Sequence, residues 1–209
     1  PDSALELIES GNADFASFGR ALIADPMMPK KLMKNHSEDV RPCLRCNEYC
    51  IGRIWNHHTK LGCAVNPQAM EEVRFKLEKT EDPQNVVVIG AGPGGMEAAR
   101  IAALEGHHVT LFEKEDHLGG VLTMAGAPKF KHDIKKYVEW SIHSISGHER
   151  VSVLLNSDVR AEDLKGKDYD AVIVAVGAEP VIPKFAKGRE DVVWVGDVEL
   201  GKVSAKKQV

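Results

Sequence analysis

At 209 residues, with 27 Lys and Arg against 31 Asp and Glu and a net charge of −4, the chain has room for one sizeable domain or two small ones. Basic and acidic side chains are interspersed, so nothing argues for a nucleic acid partner. No run of about 18 apolar residues occurs, which predicts no membrane span, and Pro1-Asp2-Ser3 has neither the basic start nor the apolar middle of a signal peptide. A cytoplasmic protein is expected, and the absence of an initial methionine suggests that further residues precede Pro1.

Three zones follow one another. In the first, residues 1–35, Ala4 to Ser10 has helical spacing and stops at Gly11. Ala13 to Phe18 reads as a short strand ending at Gly19-Arg20. Asp25-Pro26 predicts a cap followed by proline at the first helical position of a second helix. These pieces are too few to bury a core alone, and they read as the tail of a larger α/β domain.

The second zone, residues 36–80, holds every cysteine of the chain: Cys43, Cys46, Cys50 and Cys63, spaced C-x2-C-x3-C-x12-C. Clustered cysteines in a cytosolic chain point to metal rather than to a disulfide framework. Thiolates are soft ligands that select zinc or iron–sulfur clusters. Structural zinc sites are usually built from two separated pairs, whereas three close cysteines and a remote fourth suit a 4Fe-4S cluster. Zinc, and four unligated thiols, stay open as alternatives. His57 and His58 read as loop residues, since four cysteines already satisfy either metal. Arg45 and Arg53 are either counter-charges for a thiolate centre or ordinary surface residues. Asn66-Pro67 marks a turn, and Glu71 to Lys79 a charged linker closed by Asp82-Pro83.

The third zone, 84–209, is an α/β pattern. Val86 to Ile89 is a continuous apolar run, as in a parallel strand buried on both faces. Gly90-Ala91-Gly92-Pro93-Gly94-Gly95 follows at once, then a helix from Met96 to Glu105, a stop at Gly106, and a strand from His108 to Phe112 ending at Glu113. In this context the glycines acquire roles. Gly90 permits the tight turn, Gly92 lets the backbone approach a pyrophosphate, and Gly95 lets the helix pack closely on the strand. The pyrophosphate then lies on the helix N-terminus. Glu113 follows Gly90 by about 20 residues, where an acid accepts hydrogen bonds from a ribose and disfavours a 2′-phosphate. FAD or NAD is therefore expected before NADP. The second flexible segment, His117-Leu118-Gly119-Gly120, tilts the choice toward FAD. A helix is expected over Asp133 to Ser144, and strands over Val151 to Leu155 and Ala171 to Val176, the latter fully buried and ending at Gly177-Ala178.

Three segments together carry a family resemblance: Phe18-Gly19-Arg20-Ala21-Leu22-Ile23-Ala24-Asp25-Pro26, Arg41-Pro42-Cys43-Leu44-Arg45-Cys46-Asn47-Glu48-Tyr49-Cys50, and Cys63-Ala64-Val65-Asn66-Pro67. The chain resembles NADH:flavin oxidoreductases of the 2,4-dienoyl-CoA reductase, trimethylamine dehydrogenase and 2-enoate reductase type. That resemblance implies an FMN-binding (β/α)8 barrel, a 4Fe-4S segment and a Rossmann-like domain for FAD (or ADP). It also implies a second nucleotide domain for NAD(P)H and a small-molecule substrate. By position, Gly19 and Arg20 match the FMN phosphate loop. Cys43, Cys46, Cys50 and Cys63 match the cluster ligands. Gly90, Gly92, Gly95, Glu113, Lys114 and Gly120 match the adenosine diphosphate site, Val159 the adenine contact, and Gly177 the segment passing the flavin.

The resemblance further implies that most of the barrel, with the substrate-protonating residues, lies before Pro1, so no catalytic residue is expected in this chain. A second glycine-motif strand is expected to begin near 204–209. Gly196-Asp197 reads as a connector and not as a flavin contact. The implied activity is electron relay from NAD(P)H through FAD and the cluster to FMN, for reduction of an activated carbon–carbon double bond. Amine oxidation, and a non-catalytic module similar to the glutamate synthase small subunit, are the alternatives. A homo-oligomer is compatible with this reading.

Overall fold

The computed structural model describes residues 2–189 and 191–204. The expected second glycine-motif strand falls largely on residues 205–209, outside the described residues. The chain divides into two compact units, Pro1–Lys76 and Leu77–Val209.

The first unit contains short helices and no strand among its described residues. Helix α1 (Asp2–Glu9) ends before Gly11, whose φ of +71° suits a residue without a Cβ. The strand expected over Ala13 to Phe18 is absent: this stretch is irregular, and Phe15 is 91% exposed. A strand needs a neighbour to take its ladder hydrogen bonds, and this unit offers none. Helix α2 (Arg20–Ala24), not foreseen, precedes Asp25, and α3 (Met28–Met33) starts later than expected, with Pro29 in its first turn. Asp25 does not cap that helix because its carboxylate is used otherwise. Oδ1 accepts the Met27 N–H at 3.0 Å, and Oδ2 accepts the Arg41 N–H at 2.8 Å and Lys31 Nζ at 2.6 Å. A 3-10 turn (Ser37–Asp39) follows, then a π-helical turn (Glu48–Gly52) running into α4 (Arg53–His57).

The second unit is a four-stranded parallel sheet in the order β3-β2-β1-β4, built from β1 (Asn85–Ile89), β2 (His108–Phe112), β3 (Val151–Leu154) and β4 (Ala171–Val174). The register places Ile89 beside both Phe112 and Val174, so the strands end together at the glycine loop. Helix α5 (Pro93–Leu104) packs its small side chains on the sheet. Ala99 and Ala103 are buried with Val86, Val88, Leu111 and Ile145 in one core. Proline at the first helical position is pre-set for the turn out of the loop, so the helix begins earlier than the sequence pattern indicated. Helix α7 (His132–Ile145) lies against α5. There Arg100 bridges the two, paired with Glu97 at 2.7 and 2.8 Å and lying 5.8 Å over the Trp140 ring. Short helices α6 (Val121–Ala125), α8 (Ala161–Leu164) and α9 (Val195–Glu199) complete the unit, α9 resting on α6.

One expectation about the sheet is corrected. Strand β4 is not buried: Val172 is 47% and Val174 69% exposed. It forms the edge beyond β1, and among the described residues no strand pairs with its outer side. An apolar run of this length shows that a strand is to be covered, but not that the covering element is at hand.

Candidate nucleotide and metal sites

The candidate nucleotide site rests on steric necessity at two glycines. A Cβ on Gly95 would stand 1.8 Å from the Gly90 carbonyl oxygen, so the third glycine is the condition for helix α5 to seat against the turn. Gly90 has φ +95°, and a Cβ there would meet the Ala175 carbonyl at 2.5 Å. Gly92 differs. Its backbone is ordinary (φ −70°, ψ −177°), it occupies the N-cap of α5, and a Cβ would touch nothing within 4 Å. The space beside Gly92, at a helix start, is where a pyrophosphate would lie.

Gly120 closes on the same spot. With φ +53°, its Cβ position lies 2.8 Å from Gly92 Cα, and the neighbouring Gly119 N–H donates to the Ala91 carbonyl at 3.0 Å. Glu113 is buried at the end of β2. Its Oε2 accepts the Ala91 N–H at 2.7 Å, and its Oε1 accepts the Glu115 N–H at 3.0 Å. Each carboxylate oxygen keeps lone-pair capacity for a further donor such as a ribose hydroxyl. The Ser157 N–H donates to the Glu113 carbonyl at 2.8 Å, which brings the loop carrying half-buried Val159 to the same edge. Lys114 is exposed, 3.8 Å from Glu115. Gly177 has φ +73° and open space around its Cβ position, three residues beyond β4.

In the first unit, all four cysteines line one small cavity, walled also by Arg20, Ile23, Leu44, Asn47, Tyr49, Ala64 and Val65. None is in a disulfide. The loop is wound by left-handed residues on both sides of Cys46: Arg45 has φ +54° and Asn47 φ +60°. The Gly52 N–H returns to the Asn47 carbonyl at 2.7 Å, closing the turn that carries Cys50. The Gly62 N–H donates to the Tyr49 carbonyl at 2.8 Å, which brings the remote Cys63 back beside the first three. A backbone N–H points at sulfur, that of Arg45 at Cys43 Sγ (3.4 Å). Burial pushes the Cys63 thiol above its ordinary value. Hydrogen bonding from the Val65 and Asn66 backbone opposes the rise, and the like charges of Cys43 and Cys46 reinforce it.

The spread of the sulfurs bears on the metal. Tetrahedral zinc, with Zn–S near 2.3 Å, holds its thiolates about 3.8 Å apart. Among the described residues the one group of three potential ligand atoms within 4.8 Å of one another is His36, Glu38 and Asp39, on the exposed surface. Among the described residues no three cysteine sulfurs come that close. His57 and His58 stay exposed. Arg53 lies 5.3 Å over the Tyr49 ring and donates to Thr59 Oγ1 at 3.2 Å. Arg20, placed by sequence at a phosphate loop, donates to Asn47 Oδ1 at 2.5 Å. Gly19 is exposed at the N-cap of α2.

Sequence reasoning missed Asp25, Arg41 and Asn66, three buried polar residues behind the cysteines. Their linear trace is that each is followed by a proline, Pro26, Pro42 and Pro67.

The pyridine nucleotide-disulphide oxidoreductase family model matches residues 84–203. The chain belongs to that family. It is 40% identical over 180 residues to cinnamate reductase of Clostridium sporogenes, covering 86% of this chain and 27% of that protein. It is 40% identical over 213 residues to NADH oxidase of Thermoanaerobacter brockii, covering 99% and 32%. A solved 2-naphthoyl-CoA reductase superposes with a TM-score of 0.89 at 31% identity, covering 97% of this chain and 31% of that one. The chain thus spans about a third of the length of these relatives. The flavin oxidoreductase resemblance carried by the cysteine and glycine motifs agrees with these family members, and the α/β Rossmann-like architecture is the one expected. No described helix is long and apolar enough to cross a membrane.

Proposed function

We propose that this chain is the electron-relay part of a longer flavin- and iron–sulfur-dependent oxidoreductase. In this reading Cys43, Cys46, Cys50 and Cys63 hold a 4Fe-4S cluster. Gly90, Gly92, Gly95, Gly120 and Glu113 hold the adenosine diphosphate part of FAD (or ADP), with Lys114, Val159 and Gly177 at its margins. Gly19 and Arg20 meet the phosphate of FMN. Residues 1–35, 36–80 and 84–209 are accordingly the end of the FMN barrel, the cluster segment with its linker, and part of the FAD domain.

When bound, the flavins and the cluster supply electron transfer, and the chain supplies geometry and charge. Glu113 orients the ribose, the start of α5 stabilises the pyrophosphate, and the cysteine loop gathers the four thiolates around one cavity. The parent protein takes reducing equivalents from NAD(P)H and passes them to a small molecule. Two of the relatives carry "reductase" in their names, cinnamate reductase and 2-naphthoyl-CoA reductase. They favour an activated, conjugated double bond as the acceptor.

The observation that carries the reading is the cysteine cavity. It brings four free thiols together without the close contacts of a zinc knuckle, and Arg20 stands on its wall. Cofactor extraction from the parent protein, purified without oxygen, tests it. FMN and an adenine nucleotide are expected in the extract, together with inorganic sulfide. Protein that yields neither sulfide nor flavin would overturn the proposal.

A further inference from the structure

One side-chain hydrogen bond spans the first unit, from Arg20 to the loop that carries the cysteines. Asn47 follows Cys46 directly and stands at the head of the π-helical turn Glu48–Gly52, which carries Cys50. Its backbone carbonyl takes the Gly52 N–H at 2.7 Å, and a Cβ on Gly52 would stand 2.9 Å from that same oxygen, so the turn closes tightly on Asn47. Its φ is +60°, a left-handed conformation that asparagine adopts more readily than most residues with a side chain. Its Oδ1 accepts a hydrogen bond from Arg20 Nη1 across 27 positions of the chain.

Arg20 faces two ways. Its side chain lines the cavity of the four cysteines, yet the residue is exposed. Among the described residues the bond to Asn47 is the one hydrogen bond of its guanidinium. That group carries five N–H donors in a rigid planar fork, so donors remain for an anion while Asn47 holds one of them. Because the fork is planar and rigid, whatever orients its other donors also orients its hold on Asn47.

Resting on the flavin and cluster reading above, we propose that Asn47 is a positioning residue that couples FMN to the iron–sulfur loop through Arg20. A phosphate seated on the remaining guanidinium donors fixes the hold on Asn47, and with it Cys46 and the turn bearing Cys50. In the other direction, a loaded centre fixes the loop, and Asn47 then holds the guanidinium ready for the phosphate. The long arginine side chain has less rotamer freedom left to lose when FMN arrives. Such coupling is reciprocal: each cofactor raises the affinity for the other by the same factor, typically about fivefold or more. The group that is read is the phosphate, so a flavin without one escapes the coupling.

The test compares FMN with riboflavin, which lacks the phosphate, on the flavin-stripped parent protein kept without oxygen. Dissociation constants are measured with the centre loaded and with iron removed, and iron is determined in each sample. FMN should bind about fivefold or more tightly to the loaded form, and riboflavin equally to both. In Asn47→Gly the FMN constant should be the same with and without iron. Glycine accepts the left-handed backbone and keeps the carbonyl for Gly52, so only the bond to Arg20 is lost. Equal FMN affinity in the two wild-type forms, or the full difference kept in Asn47→Gly, overturns the inference. If the iron-free form or the variant does not accumulate, iron release to a chelator from loaded wild-type protein decides. FMN should slow that release about fivefold and riboflavin should not, and equal release with either flavin counts against the inference. Wild-type protein that lacks FMN or iron would instead overturn the reading on which it rests, so the two failures are distinguishable.

Discussion

The Glu113 carboxylate reaches across the glycine loop and accepts the N–H of Ala91, the residue between the first two motif glycines, at 2.7 Å. One side chain thus shapes the loop and offers acceptor capacity to the ligand that the loop surrounds. In Glu113→Ala the buried Ala91 N–H loses its acceptor, which costs about 2 kcal/mol in folding. ADP or FAD affinity should fall by on the order of tenfold or more, because the ribose contact is lost as well. Glu113→Gln keeps one carbonyl acceptor and should be milder on stability than on affinity. Thermal unfolding and titration calorimetry of the same samples separate the two effects.

Gly92 and Gly95 make a contrasting pair. Gly95→Ala places a methyl group 1.8 Å from a backbone oxygen, so this domain should fold poorly with or without nucleotide. Gly92→Ala meets open space and an ordinary backbone conformation, so the unliganded protein should unfold within about 1 kcal/mol of wild type. Its nucleotide affinity should nevertheless drop at least about tenfold, because the methyl group occupies the approach to the pyrophosphate. Equal affinity in the two proteins would place the ligand elsewhere.

Cys46→Ser should remove the cluster absorbance while leaving nucleotide affinity within about twofold, since the cysteines and the glycine loop lie in separate compact units. Iron content and ADP binding are read on one preparation. Coupled loss of both would show that the units do not fold independently.

The metal-free protein should carry a pH signature. Burial holds the Cys63 thiol above its ordinary value, so the folded state keeps that proton where the unfolded chain releases it. The resulting stability is fully present below the ordinary thiol range and is lost as pH rises through the elevated value. Alkylation of metal-free protein near pH 8 should therefore modify exposed Cys46 first and Cys63 last, with Cys63 catching up at higher pH. Peptide mapping by mass spectrometry reports the order; Cys63 reacting first would contradict the burial argument.

What could be read from the linear chain was set by how local each feature is. The βαβ unit is local: strand β1, the loop and helix α5 are contiguous, and the glycine spacing follows from contacts within a few residues. The cysteine spacing is equally local. The larger misreadings are non-local. The segment from Ala13 to Phe18 has strand-like composition, but a strand exists only beside a partner. Asp25 has the form of a helix cap, but Arg41 and Lys31, well beyond the adjacent turn, take its carboxylate. Strand β4 is as apolar as a buried strand, and its exposure depends on what lies beyond it. The Asp25–Arg41–Asn66 group escaped notice because its members are spread over more than 40 positions, and no single one is unusual in composition.

The account rests on the cysteine cavity holding an iron–sulfur centre. The most direct measurement is metal and sulfide analysis of the anaerobically purified parent protein, combined with Mössbauer spectroscopy. About four iron per chain is expected, with the spectrum of a cubane cluster that disappears in Cys46→Ser. Colourless protein carrying one zinc per chain, with no iron or sulfide, would contradict it.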